Sequence, residues 1–265
     1  MIKHASFRQT DIFFTDEGKG RAIVLLHGFI EDKSIWKEFS KQLSKLYRVI
    51  CIDLPGFGET PGIGYVHSME MMACSVKAVM DHLNLRRYAI VGHSMGGYVS
   101  LAFAELYPKN ISGLCLFHST ATADSDEKKT ERTRVIEIVK RDPILFVKNF
   151  FAKLFAPENI TALGEKIDVL RENAEKIKKQ NIVNALEGMK SRPDRRKVLT
   201  KSDYPVLFLA GAQDAVIPPE PLKSQVKLCK QGKLLLIENA GHMGFLEAEK
   251  ECMKAIKSFA RKCFT

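Results

Sequence analysis

Along the chain, short and almost continuous apolar runs alternate with segments whose apolar positions recur every three to four residues. The runs are Arg21 to Leu26 (RAIVLL), Tyr47 to Leu54 (YRVICIDL), Tyr88 to Val91 (YAIV), Ile111 to Phe117 (ISGLCLF), Pro205 to Ala210 (PVLFLA) and Lys233 to Ile237 (KLLLI). Runs of this length without internal polar alternation are expected of strands covered on both faces, as in a parallel sheet. Between them, Ile35, Phe39, Leu43 and Leu46, then Met72, Val76, Val79 and Leu83, then Tyr98, Leu101, Ala102 and Leu106 fall on one helical face each. Strand and helix in turn predict crossover helices on both faces of the sheet, an α/β architecture. Upstream, Ser6 to Gln9 and Asp11 to Thr15 read as an antiparallel hairpin on one edge, with Asp16 to Gly20 turning into the next run.

The alternation stops between about Ser119 and Thr200. That stretch has helix-like segments at 127–140, 144–154, 164–179 and 182–189, punctuated by Pro143, Pro157 and Pro193. It is expected to be a helical cap inserted between strands 6 and 7, so that residues 1–118 and 201–265 form the core domain. Its apolar positions Ile144, Phe146, Val147, Phe150, Phe151, Leu154 and Phe155 are candidates to roof whatever site the core carries.

Composition narrows the class of protein. The 265 residues are 45% apolar and 27% charged, enough for one well-buried core. No apolar window is long enough to span a membrane, and the N-terminus lacks a secretory pattern, so a cytoplasmic protein without membrane association is expected. The net charge of +10 comes from 41 Lys and Arg interleaved with 31 Asp and Glu. With no nucleic-acid motif beside it, that charge is read as a solvated basic surface, not a nucleic-acid groove. The six cysteines have no paired or zinc-like spacing, so free thiols and no metal are expected. Oligomeric state is not legible.

The chemistry concentrates at Gly92-His93-Ser94-Met95-Gly96, a G-x-S-x-G sequence between an apolar run and a helical segment. A serine on so sharp a strand-to-helix turn needs its neighbours stripped of bulk, and it faces the positive end of the helix that follows. Gly56-Phe57-Gly58 lacks the third glycine of a dinucleotide loop, because Pro61 occupies that place, and no phosphate-binding GK[ST] is present.

With His27-Gly28-Phe29, Asp53 to Gly58, Gly211 to Asp214 and Ala240-Gly241-His242, these motifs resemble the α/β-hydrolase family over nearly the whole chain. The resemblance implies a catalytic triad in the order Ser94, Asp214, His242, each just beyond an expected strand. Asp203 and Asp124 are alternative acids. It also implies an oxyanion hole from the backbone amides of Phe29 and Met95, and chemistry that needs no cofactor. His27 is expected to order the oxyanion loop and His93 to point away from the site. His118, Phe150, Phe151 and Trp36 are candidate pocket residues, although helix core is the more ordinary place for a tryptophan at that spacing. Position 94 is serine, which excludes the aspartate-nucleophile dehalogenase and epoxide hydrolase branches.

The expected activity is that of a carboxylesterase-like serine hydrolase, taking small or medium acyl substrates through an acyl-enzyme. Two other readings stand beside it. One is a carbon–carbon bond hydrolase, or a lyase similar to the menaquinone-pathway synthase, acting on an acidic substrate; in that synthase an arginine follows the elbow where Tyr98 stands here, though Arg132, Arg134 or Arg141 could supply a cation. The other is a ligand sensor with little turnover.

Overall fold

Residues 2–151 and 153–265 are described by the computed structural model. Ala152, inside the helix expected at 144–154, lies outside the described residues.

Among the described residues, eight strands form one sheet in the order β1-β2-β4-β3-β5-β6-β7-β8. The first two, β1 (Ile2–Phe7) and β2 (Thr10–Glu17), make the edge hairpin. Its turn differs from the expected one: Phe7 pairs with Thr10, leaving Arg8 and Gln9 as a two-residue loop with φ of 47° and 64°. Positive φ at both loop residues matches the twist of the flanking strands, so a tight primed turn takes two residues that the apolar pattern assigned to a strand. Next to β2 lies β4 (Arg48–Ile52), antiparallel to it. The remaining pairings, through β3 (Ala22–Leu26), β5 (Tyr88–His93), β6 (Ile111–Phe117), β7 (Val206–Gly211) and β8 (Gly232–Ile237), are parallel. Every residue of β3, β5, β6 and β7 is buried, which is why these strands carry unbroken apolar runs; β8, at the edge, is half covered.

The crossover helices are α1 (Lys37–Leu43), α2 (Met69–His82) and α3 (Met95–Leu106). The first is shorter than its spacing suggests. Lys33–Trp36 forms a separate 3₁₀ turn, and Leu46 lies beyond the helix, exposed. Among the described residues, five α-helices fall between β6 and β7: α4 (Asp126–Arg141), α5 (Pro143–Phe151), α6 (Gly164–Glu175), α7 (Lys179–Ser191) and α8 (Arg196–Thr200). Downstream come α9 (Leu222–Val226), α10 (Gly244–Glu247) and α11 (Glu249–Cys263). No helix of the described residues is long and apolar enough to cross a membrane.

This topology collects chemistry at one rim. His27, Asp53, Ser94 and His118 each follow the last residue of a strand, and Asp214 and His242 lie in the loops after β7 and β8. In an open parallel sheet the carboxyl ends of the strands are where loops converge and ligands bind.

Candidate active site

Ser94 occupies the single residue between β5 and α3, with φ 47° and ψ −112°. A non-glycine residue held there costs about 1–3 kcal/mol and persists only when the surroundings fix it. They do: the Ser94 amide donates to Phe117 O at 2.9 Å, and Ser119 Oγ donates to Ser94 O at 2.8 Å. The turn is tight enough that a Cβ on Gly96 would stand 2.5 Å from the carbonyl oxygen of Leu26 on β3. The hydroxyl is left partly accessible beside the first residue of α3, Met95, whose amide has no intrahelical acceptor.

His242 Nε2 lies 2.9 Å from Ser94 Oγ, and its Nδ1 lies 2.8 Å from Asp214 Oδ2. The other oxygen of Asp214 accepts the amides of Val216 and Ile217, both at 2.9 Å. Burial alone would raise the pKa of this carboxyl; the two facing imidazoles, His242 first and His118 with it, outweigh burial and hold it well below the usual carboxylate range. Neither alternative acid is near. Asp203 is exposed and pairs with Lys230, while Asp124 is bound by Arg132 and Arg192.

Two of the expected pocket residues lie elsewhere. His118 is fully buried behind the triad, with Nδ1 3.0 Å from Asp214 Oδ2 and Nε2 accepting the Gly244 amide at 3.3 Å. Burial pushes its pKa down to about 4 despite the adjacent carboxylate; Nδ1 faces that acceptor-only carboxylate, and the Gly211 amide also points at it from 3.2 Å. It faces the acid because β6 and β7 are neighbours. Trp36 is likewise fully buried, between the rings of Phe39, Phe117 and Phe245; a side chain with no exposed surface in the core lines no pocket.

On the opposite side, His27 accepts the Leu54 amide at Nε2, 3.0 Å away, and donates from Nδ1 to Gly28 O at 2.8 Å, which fixes the loop that carries Phe29. Sequence reasoning missed Glu31. Its Oε2 accepts the Gly28 amide at 2.6 Å and lies 3.0 Å from His93 Nδ1, while His93 Nε2 lies 2.9 Å from the carbonyl oxygen of His242. Both ring nitrogens of His93 thus face acceptors, the arrangement of an imidazolium. Burial opposes both charges, but each outweighs it for the other: Glu31 raises the pKa of His93, and His93 with the Gly28 amide lowers that of Glu31. This ion pair ties the loop before Phe29, the residue before Ser94 and the backbone of His242 together. The glutamate follows the HG motif within a few residues, but nothing in its spacing marks a partner 62 positions away.

The 119–200 segment touches the same place. Phe29 meets Phe146 and Phe150 with ring centroids 6.2 and 5.7 Å apart. Phe150 is half-buried, whereas Phe151 is fully buried beneath it and Ile144 points to solvent. Leu154 O accepts the His242 amide at 2.7 Å. A separate open groove of about 860 Å³, between Lys33, Glu59 and Gly62 on the core and Lys176 and Asn181 on the inserted segment, is lined by none of the triad.

His118, Asp214 and His242 present ligand-type atoms within 4.8 Å of one another, as a metal set would. The hydrogen bonds account for that compactness: two imidazole N–H groups converge on one carboxylate oxygen.

Residues 21–249 match the family model described as the alpha/beta hydrolase fold, and the chain belongs to that family. Its structure resembles that of an esterase from Thermogutta terrifontis with a TM-score of 0.94, 32% identity and complete coverage of both chains. Among curated proteins it is 29% identical over 247 residues to the dihydrolipoyllysine-residue acetyltransferase component of the acetoin cleaving system of Pseudomonas putida, covering 92% of this chain but only 64% of that protein. It is also 27% identical over 262 residues to a 2-hydroxy-6-oxononadienedioate/2-hydroxy-6-oxononatrienedioate hydrolase of Burkholderia vietnamiensis, covering 95% and 91% of the two chains. The protein is an α/β-fold hydrolase.

Proposed function

We propose that this hydrolase cleaves carboxylic esters of small or medium acyl groups, with Ser94 as nucleophile, His242 as general base and acid, and Asp214 as the acid that orients His242. The observation that carries the reading is the unbroken hydrogen-bonded chain from Ser94 Oγ through both nitrogens of His242 to Asp214, at 2.9 and 2.8 Å. A serine hydroxyl is a weak nucleophile at neutral pH, so His242 takes its proton as Oγ attacks the ester carbonyl, and Asp214 stabilises the imidazolium that forms. The oxyanion is received by the amides of Met95, at the amino end of α3, and Phe29. His242 then gives its proton to the departing alcohol. Water, activated by the same imidazole, hydrolyses the acyl-enzyme and frees Ser94. All the groups are the chain's own, so the reaction calls for no cofactor.

Residues 119–200 serve as a cap over Ser94, with Phe146 and Phe150 roofing the acyl side through their contact with Phe29. An aromatic roof over a half-buried serine suits a modest, apolar acyl group. The ester esterase likeness at 32% identity supports the same bond type. We place the protein in the cytoplasm with a small-molecule substrate as its partner.

A second reading, carbon–carbon hydrolysis of an acidic dienoate, is favoured by the Burkholderia relative. Such a substrate needs a cation for its carboxylate. Arg132 and Arg192 are spent on Asp124, Arg192 also covers the Tyr98 ring at 3.9 Å, and Arg134 and Arg141 are exposed. Ester hydrolysis is therefore the better fit. Turnover of p-nitrophenyl esters of graded chain length, beside a dienoate panel and with Ser94→Ala as control, tests it. The ester reading expects a maximum at a short or medium chain and its loss in Ser94→Ala; faster turnover of a dienoate would transfer the assignment to the second reading.

A further inference from the structure

The groups that hold the loop of His242 include one acid outside the triad. Glu247, half-buried at the end of α10, spends both carboxylate oxygens on backbone and side-chain donors from two different parts of the chain. Its Oε2 accepts the amides of Gly241 and Met243, each at 3.0 Å, the residues immediately before and after His242. Its Oε1 accepts the amide of Ala156 at 2.7 Å and Nδ2 of Asn159 at 3.0 Å, both from the inserted segment. The second hydrogen of that Asn159 amide goes to Asn239 O at 2.8 Å, in the same loop as His242. The amide of His242 itself donates to Leu154 O at 2.7 Å. Of three consecutive amides, 241 to 243, the outer two are therefore satisfied by Glu247 and the middle one only while residues 154–159 are docked. The docking is close: a Cβ on Gly241 would stand 2.7 Å from Ala156 N and 2.8 Å from Leu154 O.

We infer that Glu247 is a positioning residue for His242, and that its carboxylate joins residues 154–159 to the histidine loop so that the inserted segment at this end is part of the triad's framework. This rests on the serine-hydrolase reading above. A carboxylate suits the task because it offers four acceptor sites and no donor, matching four converging N–H groups. Its removal leaves the imidazole attached to Asp214 and Ser94 and the His242 carbonyl to His93, but frees the amides on either side of that residue. Displacement of a catalytic group by a fraction of an ångström to 1 Å lowers rates by about ten- to a hundredfold without altering how substrate is held.

Glu247→Gln is the nearest isostere. Its amide can accept on one side only and sets an NH₂ against two N–H donors on the other, so one of the two attachments must fail. The test is the rate of Ser94 labelling by a fluorophosphonate, alongside kcat and KM for a short p-nitrophenyl ester, at a temperature well below the melting point of each variant. In Glu247→Gln the labelling rate and kcat should fall at least tenfold with KM within about twofold of wild type. Asn159→Ala, which removes donors only from the inserted segment, should show a smaller loss in the same direction, and it decides the matter if Glu247→Gln does not fold. Folded Glu247→Gln, or failing that Asn159→Ala, labelling at the wild-type rate would overturn the inference even if its melting point drops. A wild-type protein that does not label at all would overturn the serine-hydrolase reading itself and this inference with it.

Discussion

His118 and His242 donate to the same oxygen of Asp214, at 3.0 and 2.8 Å. A carboxylate oxygen shared between two imidazoles is held more firmly in place than one facing a single histidine, and its negative charge is stabilised from both sides. Replacing His118 by leucine removes one charge-assisted hydrogen bond, worth about 1.5–3 kcal/mol, and leaves the Gly244 amide without its acceptor. We expect kcat to fall about tenfold with KM little changed, and His118→Asn, which can still donate, to recover part of the loss. Equal kcat in His118→Leu and wild type would mean that the second imidazole does nothing for Asp214.

The buried Glu31–His93 pair makes stability depend on pH in a defined window. The pKa of His93 is raised in the fold, so its contribution is complete below the ordinary histidine value of about 6.5 and is lost as pH rises through the raised value. That of Glu31 is lowered, so its contribution is complete above the ordinary value of 4.5 and is lost as pH falls through the lowered one. The pair therefore stabilises most between these two ordinary values. Glu31→Gln should cost about 3–5 kcal/mol there, the usual penalty for leaving a buried charge without its partner, and the gap to wild type should narrow toward alkaline pH. Denaturant unfolding of both proteins from pH 4.5 to 9 reads this directly; a gap that stays constant over the whole range would show that the two groups are not a charged pair.

Phe150 and Phe151 are adjacent yet should behave differently. Phe151 has no exposed surface, so Phe151→Ala should lose about 3–5 kcal/mol of stability, as for any large core side chain. Phe150 is half-buried against Phe29, and Phe150→Ala should shift the preferred acyl chain to longer esters with a smaller drop in melting temperature. The reverse pattern would move the acyl roof from Phe150 to Phe151.

Much of this was legible in the chain because strands buried on both faces leave short, unbroken apolar runs bounded by turn residues, and because Ser94, Asp214 and His242 each lie in the connection that follows a strand. What was not legible depends on which strands and loops become neighbours. His118 faces Asp214 only because β6 lies beside β7, and Trp36 is core because a 3₁₀ turn sets it among Phe39, Phe117 and Phe245. Glu31 and Glu247 are ordinary surface residue types whose partners come from distant loops or from a separate segment. The two left-handed residues Arg8 and Gln9 carry no glycine or asparagine to announce their turn.

The central claim is that Ser94, His242 and Asp214 act as one unit, and the most direct measurement of it is a double-mutant cycle in kcat for ester hydrolysis. In the best-studied serine hydrolase, loss of the serine or the histidine alone costs on the order of 10⁶ in kcat, and further triad changes add little. Ser94→Ala and His242→Ala should each remove nearly all activity, the double variant should be scarcely worse than either, and Asp214→Asn should be severely but less completely impaired. Losses that instead multiply from one variant to the next, or a Ser94→Ala protein as active as wild type, would contradict a shared covalent mechanism.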